Sequence, residues 1–435
     1  MLLWMIESFN NYFQQICGDL ISKKKVFVLG LSGGVDSMAL LYLLKNFLEN
    51  NRKFEIEIFP IIIDHSIRQG SSVEAYKVQN ISQQLGFKTT IKKIKSKIPN
   101  GSIQDWARKK RRDLLCESTY KLSANLLLAH HFDDQAETLF MRFEKKSGLE
   151  GLRGMQPVTF WNGILIVRPL LYFKKKQLRS FVDYYKIPFF EDNSNAMLKF
   201  ERVKTRYILD KISKKKWPDI SQDLYNFSVI NSILIKKTKL IFNDWISQNV
   251  YIDNSGAGRV NYNNLKVIFE KSNLITINIV GKIIQTVGGK QYPPKRRKTY
   301  NLIYSIFYNN YKNKTLGNVK IFLKNNFLFF IRENRNISFN MKIKKNTNYL
   351  FDGRFLVSSG LSGCLIPSST LDLNTISKEN IFFNYKDIVN NTIPCLQTLE
   401  GINIKPHLNI INETNVNLNK NNRSFSLYLI NRVLV

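Results

Sequence analysis

Cysteine is scarce in this sequence. Of 435 residues only Cys17, Cys116, Cys364 and Cys395 are cysteines, and no two of them form a CxxC pair. Such scattered residues argue against a structural zinc site, an iron–sulfur cluster and a disulfide framework. We therefore interpret all four as free thiols.

Long apolar runs are also missing. No run approaches the roughly 18 uninterrupted apolar residues that a membrane helix requires. The first residues, MLLWMIESFNNYFQQI, lack a basic leader and carry Glu7 inside an amphipathic helical pattern. We expect no membrane association and a cytoplasmic location.

Acidic residues are few, because 33 Asp and Glu stand against 65 Lys and Arg, which gives a formal net charge of +32. A polyanion such as RNA or DNA is the usual partner of so basic a chain, since each neutralised phosphate releases a counterion. The enrichment in Lys, Asn and Ile throughout the chain offers a second explanation, a compositional bias without a ligand. Charge alone supports nucleic-acid binding without establishing it.

Apolar patterning predicts the fold. From residue 25 onward, short β-branched runs alternate with amphipathic segments, as in a parallel sheet covered by helices on both faces. We predict one α/β, doubly wound parallel-sheet domain over residues 1–215. A helical linker and a first small domain would occupy residues 216–335, with VKIFLKNNFLFFIREN as a hairpin, and a second, β-rich domain residues 336–435. The two small domains are expected to be α+β or β-rich.

The string SGGVDS follows the first predicted strand, where ligands bind in open parallel sheets. Gly33 and Gly34 permit a close backbone approach, while Ser32, Ser37 and the amides of the following helix can donate to phosphate. Neither GxxxxGK[ST] nor GxGxxG occurs, which excludes the two best-known nucleotide loops. A carboxylate beside phosphates needs a cation between them, so Asp36 implies bound Mg²⁺.

This string resembles the SGGxDS motif of the PP-loop ATP pyrophosphatases. That resemblance implies cleavage of ATP between its α- and β-phosphates and transfer of AMP to an oxygen of the substrate. His65 and Arg68 follow the second strand and would face the nucleotide. The ATP-binding residues would be Leu31, Ser32, Gly33, Gly34, Val35, Asp36, Ser37 and Asp64.

Further strings narrow the resemblance. DHSIR, ARKKRRD, HHFDDQAET, KKSGLEGL, RPLL and EDNSN occur in that order. Together they resemble the tRNA(Ile)-lysidine synthase family over the whole amino-terminal domain, and weaker likenesses continue to the carboxyl end. The resemblance implies a C–N ligase that joins free L-lysine to C2 of the first anticodon cytidine of CAU-bearing tRNA(Ile). It implies ATP as co-substrate, an adenylated cytidine, AMP and diphosphate as products, and a change of codon reading from AUG to AUA.

Side-chain chemistry suggests roles within this scheme. Asp134 and Glu137 would receive the ammonium groups of lysine, and Arg111 or Arg206 its carboxylate. Asp36 would act in catalysis through Mg²⁺, and either Asp133 or His131 would deprotonate the attacking amine. The residues expected to contact tRNA are Arg108, Arg112, Lys145, Lys146 and Arg202.

Three positions depart from the family pattern. Arg112 replaces a usual Tyr, Lys145 and Lys146 replace Arg-Gly, and Val203 replaces an Asn. Val203 cannot donate or accept through its side chain, which leaves the role of that position open.

Alternative classes stay open. A PP-loop thiouridine synthase usually needs a catalytic cysteine, for which Cys116 is the only candidate. GMP and NAD synthetases share the loop, but no glutaminase-like segment is visible. A non-catalytic tRNA-binding protein with a relic loop is a third reading, disfavoured by the intact SGGVDS string. A homodimer is also open.

Overall fold

The computed structural model describes residues 2–18, 25–52, 54–65, 70–94, 103–161, 163–191, 201–309, 313–368, 382, 385–412 and 425–431. The chain divides into two compact units, Met1–Thr238 and Lys239–Val435. The domain boundaries at residues 215 and 335 stay predictions. None of the helices in these ranges is long and apolar enough to cross a membrane.

The first unit is an α/β domain. Its helices are α1 (Leu2–Cys17), α2 (Val35–Asn50), α3 (Ser71–Gln84), α4 (Ile103–Lys121), α5 (Phe132–Glu144), α6 (Leu149–Leu152), α7 (Lys175–Tyr184) and α8 (Glu201–Lys215). Helix α9 (Ile220–Asn249) begins in the first unit and ends in the second unit. Its strands are β1 (Lys25–Gly30), β2 (Ile56–Asp64), β3 (Thr90–Lys93), β4 (Asn125–Leu127), β5 (Val158–Trp161) and β6 (Ile164–Val167).

These strands form one sheet in the order β3-β2-β1-β4-β6-β5. The first five are parallel, which confirms the predicted doubly wound class. The edge strand β5 is antiparallel to β6, a feature that the sequence pattern did not predict. The short turn between β5 and β6 permits only this hairpin, since a parallel return needs a longer crossover.

Aromatic packing holds α1 and α2 against the central strand. The ring of Phe13 lies 4.9 Å from that of Phe47 and 6.4 Å from that of Phe27. Leu29 joins the same cluster, and Val28, which alternation places on the other face of the sheet, is equally buried. Burial on both faces positions the end of β1, and the turn after it, in the middle of the sheet edge.

The second unit combines helices with short antiparallel strands. Its helices are α10 (Tyr262–Lys271), α11 (Asn273–Val287), α12 (Arg296–Tyr308) and α13 (Lys386–Asn390). Its strands are β7 (Val250–Ile252), β8 (Gly258–Asn261), β9 (Lys314–Leu316), β10 (Val319–Lys324), β11 (Phe327–Arg332), β12 (Met341–Ile343), β13 (Tyr349–Phe351), β14 (Phe355–Ser359), β15 (Gly363–Pro367), β16 (Pro394–Thr398), β17 (Asn403–Ile404), β18 (His407–Asn412) and β19 (Phe425–Asn431).

Three sheets organise these strands, in the orders β7-β8-β11-β10-β9, β12-β15-β16-β17 and β13-β14-β19-β18. The predicted hairpin is confirmed, since β10 pairs with β11 with Lys324 opposite Phe327. A buried ion-pair cluster joins two of the sheets. Asp352 accepts from Arg332 Nη2 at 2.8 Å and from Arg354 Nε at 2.7 Å, which neutralises part of the charge that burial makes costly.

Candidate active site

The SGGVDS turn connects β1 to α2 at the carboxyl edge of the sheet. Leu31 still pairs with β2, its amide donating to Ile61 O at 3.0 Å. Gly33 has φ +82°, and a Cβ there would lie 2.6 Å from Val78 Cγ2, so both conformation and space require glycine. The Ser32 and Ser37 hydroxyls lie 3.0 Å apart, and Ser37 donates to Gly34 O, which closes the turn.

The amino end of α2 faces this turn without a side-chain cap. Gly34 occupies the N-cap position in an extended conformation, and no side chain bonds to the first helical amides. Uncapped amides and the positive end of the helix dipole favour an anion. The turn therefore suits a phosphate group, as its sequence predicts.

Asp36 lies in the first turn of α2. Its Oδ2 is 3.6 Å from His131 Nε2, and its buried Oδ1 has no hydrogen-bond partner among the described residues. Burial raises the pKa of the carboxyl group, an effect that His131 and Lys175 oppose. An unpartnered carboxylate oxygen next to a phosphate-binding turn fits a divalent cation.

Mg²⁺ would take few ligands from the protein itself. Within the described ranges no group of three or more His, Cys, Asp or Glu side chains could hold a metal ion. Mg²⁺ commonly binds through one or two carboxylates together with substrate phosphates and water. Asp36 is suited to that arrangement.

Asp64 ends β2 at the same edge of the sheet. It is 2% exposed, and its two oxygens accept from Ser71 Oγ at 2.9 Å and Ser72 Oγ at 2.6 Å. Both serines begin α3, so the carboxylate anchors that helix to the strand. The predicted contact of Asp64 with ATP is not visible in this geometry and stays a prediction.

His131 and Asp134 cap α5 reciprocally. The His131 amide donates to Asp134 Oδ2 at 3.1 Å, and the Asp134 amide donates to His131 Nδ1 at 3.4 Å. Because Nδ1 accepts, the neutral ring carries its proton on Nε2, which points towards Asp36 and Asp134. Burial opposes ionisation of Asp134, but His131, His130 and Arg202 outweigh it and lower the pKa of the carboxyl group.

Asp133 occupies a more open position in the same turn. Its Oδ2 accepts from the Lys175 amide at the start of α7, at 2.7 Å. Its side chain is 42% exposed, and its Oδ1 has no partner in the part of the chain that the structure describes. One carboxylate oxygen is thus available to a substrate.

Two arginines from α8 face the acidic side of α5. Arg206 Nε donates to Glu137 Oε1 at 2.7 Å. Arg202 Nη1 lies 3.6 Å from Asp134 Oδ1, and its Nη2 donates to Thr138 Oγ1 at 3.3 Å. The i, i+3, i+4 spacing of Asp134, Glu137 and Thr138 places them on one face, as predicted. Arg202, which the sequence grouped with tRNA contacts, lies beside Asp134, and its contact with tRNA stays a prediction.

Glu137 has an unused acceptor. Its side chain is 3% exposed, and Oε2 is buried without a partner among the described residues. A buried carboxylate oxygen that lacks a donor is costly unless a ligand supplies one. Glu137 therefore offers an unsatisfied acceptor to a cationic group.

His130 is a residue to which the sequence assigned no role. Burial lowers its pKa to about 3, and the neighbouring Arg168, Arg202 and Arg111 add to this effect, so the ring is neutral at physiological pH. Its Nδ1 is buried and has no partner within the described ranges. The only sequence signal is its position before His131. Burial also lowers the pKa of Arg111, which lies near this ring.

The remaining residues predicted to contact tRNA lie on α4 and just after the end of α5. Arg108 is exposed on α4, and the Arg112 guanidinium lies 5.2 Å from the Trp161 ring centre. Lys145 pairs with Glu201 at 2.6 Å, and Lys146 is exposed with φ +50°. Val203 is half-buried on α8. Arg68 and residues 192–195 of the EDNSN string lie outside the described residues.

The fold and the turn define a protein with an ATP-binding PP-loop domain, and the model of that domain matches residues 5–212. A tRNA(Ile)-lysidine synthase of Wolbachia pipientis wMel is 30% identical over 373 residues, 81% of this chain and 82% of the relative. The tRNA(Ile)-lysidine synthase of Rickettsia akari is 28% identical, over 93% of this chain and 94% of its own length. That of Wolbachia from Brugia malayi is 29% identical, over 79% of each chain. The chain belongs to the tRNA(Ile)-lysidine synthase family and is an enzyme of this ligase type.

Proposed function

We propose that this enzyme, acting in the cytoplasm, joins free L-lysine to C2 of the first anticodon cytidine of CAU-bearing tRNA(Ile). ATP would first adenylate the C2 oxygen, with release of diphosphate. The lysine ε-amine would then displace AMP and give lysidine, which reads AUA instead of AUG. The unpartnered Oε2 of Glu137, beside Asp134 and within the family's HHFDDQAET string, is the observation that carries this proposal.

The adenylation half-reaction would use the turn after β1. The α2 amides and the hydroxyls of Ser32 and Ser37 would bind phosphate oxygens. Asp36 would hold Mg²⁺, which supplies positive charge against the triphosphate when bound. His131 would keep the Asp36 carboxylate oriented through Nε2.

Lysine would bind along α5 and α8. An ammonium group can donate to Glu137 Oε2 while Oε1 keeps its bond to Arg206. Arg206 uses Nε for that bond, so its terminal nitrogens can contact the lysine carboxylate, and Arg111 is the second candidate for that contact. Asp134 would bind the other ammonium group or hold Arg202 in place.

The attacking amine must lose a proton from a group whose ordinary pKa is about 10.4. We favour Asp133 as the base, because its Oδ1 is open while His131 Nδ1 already accepts the Asp134 amide. His131 would then position the carboxylates around it. The exposed Arg108, Lys145 and Lys146 and the half-buried Arg112 would contact the tRNA backbone.

The test is incubation of the full-length protein with ATP, labelled lysine and a CAU-anticodon tRNA(Ile) transcript. We expect label in the RNA, and none in a transcript whose wobble cytidine is replaced by uridine. Asp36→Asn should abolish AMP release while tRNA binding is retained, and Asp113→Asn, at an exposed aspartate on α4, is the matched control. Sulfur transfer without lysine incorporation would contradict the proposal.

A thiouridine synthase is less well supported. Cys116 is 8% exposed, and burial raises the pKa of its thiol to about 12. A thiol with so high a pKa is a poor nucleophile near neutral pH.

A further inference from the structure

A row of tyrosines lies on the outer face of α12. Tyr300, Tyr304 and Tyr308 follow each other at four-residue spacing and therefore share one side of the helix. Tyr304 is 43% exposed and Tyr308 49% exposed. The core of the second unit contains Leu302, Ile303, Ile306 and Phe307 from this helix, and the partly buried Tyr300 also packs against it.

These tyrosines form one wall of an open cleft, which encloses about 370 Å³ and is also lined by Phe269, Glu270 and Asn273. We call it the tyrosine cleft. The ring centres of Tyr304 and Tyr308 are 5.0 Å apart, and those of Tyr300 and Tyr304 are 6.0 Å apart. The buried Phe269 supports Tyr300 and Tyr308 from behind, at 6.0 and 6.3 Å. The rings are thus held by one another, and a planar ligand would not have to order them.

Two polar side chains stand at the edge of the tyrosine cleft. Glu270 and Asn273 are exposed, and neither side chain has a hydrogen-bond or ion-pair partner among the residues that the structure describes. A carboxylate accepts from an exocyclic amino group, and an amide can both donate and accept at a base edge. Aromatic walls with acceptors at one edge suit a nucleobase.

Basic residues lie beside Tyr308 and in the first turn of the helix that carries the tyrosines. Lys266 Nζ lies 5.7 Å from the Tyr308 ring centre. Arg296, Arg297 and Lys298 are exposed in the first turn of α12, which contains no acidic residue. Cations at the amino end of a helix are unfavourable next to the helix dipole, and a bound phosphate would relieve this. The charge favours a ligand with a phosphate backbone.

We propose that the tyrosine cleft binds an unpaired base of the RNA substrate, one that carries an exocyclic amino group. The base would stack on Tyr304 and Tyr308 and donate to Glu270, while Arg296 and Arg297 contact its phosphates. This inference rests on the proposed tRNA substrate. The inference assigns to the second unit the recognition of a single-stranded nucleotide of the RNA.

The test uses the full-length protein and fluorescein-labelled RNA octamers of A, C or U, with a blunt eight-base-pair RNA duplex as a comparison. Base–aromatic stacking contributes ~1–3 kcal/mol per base, so Tyr304→Ala/Tyr308→Ala should raise the Kd for the A and C octamers by about tenfold or more. The Kd for the duplex should not change. Tyr304→Phe keeps the ring and should bind like the unmodified protein.

Controls separate stacking from folding and from other surfaces. Tyr184→Ala removes a tyrosine that is 66% exposed on α7 and should leave all Kd values unchanged. Glu270→Gln should reduce the preference for A and C octamers over the U octamer. Equal unfolding temperatures exclude a folding defect, since both tyrosine rings lie outside the core.

Three outcomes would overturn the inference: unchanged octamer binding in the double variant, an equal loss of octamer and duplex binding, or a change of oligomeric state as its only effect. Lysine incorporation by the unmodified protein is measured in parallel. If incorporation occurs and the double variant binds octamers normally, only the tyrosine cleft assignment fails. If incorporation does not occur, the proposed function fails whatever the octamers do.

Discussion

Glu137→Gln tests the lysine site most directly. The substitution keeps the shape of the side chain and an oxygen acceptor but removes the charge that would bind an ammonium group. Glu137 is 3% exposed, whereas its partner Arg206 is 43% exposed and can be solvated when the ion pair is lost. We therefore expect a specific loss of lysine binding with little loss of stability.

The size of the effect follows from the geometry. A hydrogen bond to a charged group contributes about 1.5–3 kcal/mol, and a neutral amide oxygen retains part of it. The KM for lysine should therefore rise about tenfold or more, at ~1.4 kcal/mol per factor of ten. Because the Arg206 side chain is 43% exposed and can be solvated, loss of its ion pair should lower the free energy of unfolding by only ~1 kcal/mol.

The assay is lysine incorporation at saturating ATP and tRNA over a range of lysine concentrations. The KM for ATP and the Kd for tRNA should stay unchanged, because loss of a contact to lysine weakens the binding of lysine alone. Glu144→Gln, at an exposed position near the end of the same helix, is the matched control. An unchanged KM for lysine, or an equal rise in the KM values for lysine and ATP, would refute the assignment.

Three further predictions concern single positions. Lys146→Gly should raise the free energy of unfolding by about 0.5–1 kcal/mol in urea titrations, because Lys146 has φ +50°, a conformation that favours glycine. Lys145→Gly, at φ −80°, is the control and should lower the free energy of unfolding. Cys116 should resist iodoacetamide at pH 8 until the protein unfolds, because a pKa raised to about 12 keeps its thiol protonated. The half-buried Cys364 should react sooner. Rapid labelling of Cys116 in the folded protein would contradict this prediction. Asp352→Asn should lower the free energy of unfolding by ~3–5 kcal/mol, because it leaves two buried arginines without their counter-ion.

Local patterns in the sequence predicted much of the first unit. The SGGVDS string requires a tight turn after a buried strand, and Gly33 indeed has a positive φ. The i, i+3, i+4 spacing on α5 placed Asp134, Glu137 and Thr138 together. Both conclusions depend on residues close in sequence, for which helix and strand periodicity is sufficient.

Pairings between distant segments could not be predicted in this way. Arg206 and Glu137 are 69 residues apart, and nothing in either string identifies the other as its partner. Arg202 was grouped with tRNA contacts, and its position beside Asp134 follows from packing of α8 on α5, which the sequence does not reveal. His130 acquires its strongly lowered pKa from burial among arginines, a property of tertiary structure alone.

The acidic site would also let so basic a protein bind the proposed lysine substrate. A net charge of +32 attracts RNA but repels lysine at long range. At physiological ionic strength exposed charges beyond ~8 Å are largely screened, so lysine responds mainly to the charges that line its site. Asp134 and Glu137 would line that site: Arg202 helps to lower the pKa of the Asp134 carboxyl group, and Arg206 donates to Glu137 Oε1 and holds it in place. Replacement of either arginine by Leu should therefore weaken lysine binding even though it removes a positive charge. Tighter binding would mean that the arginines only compete with lysine.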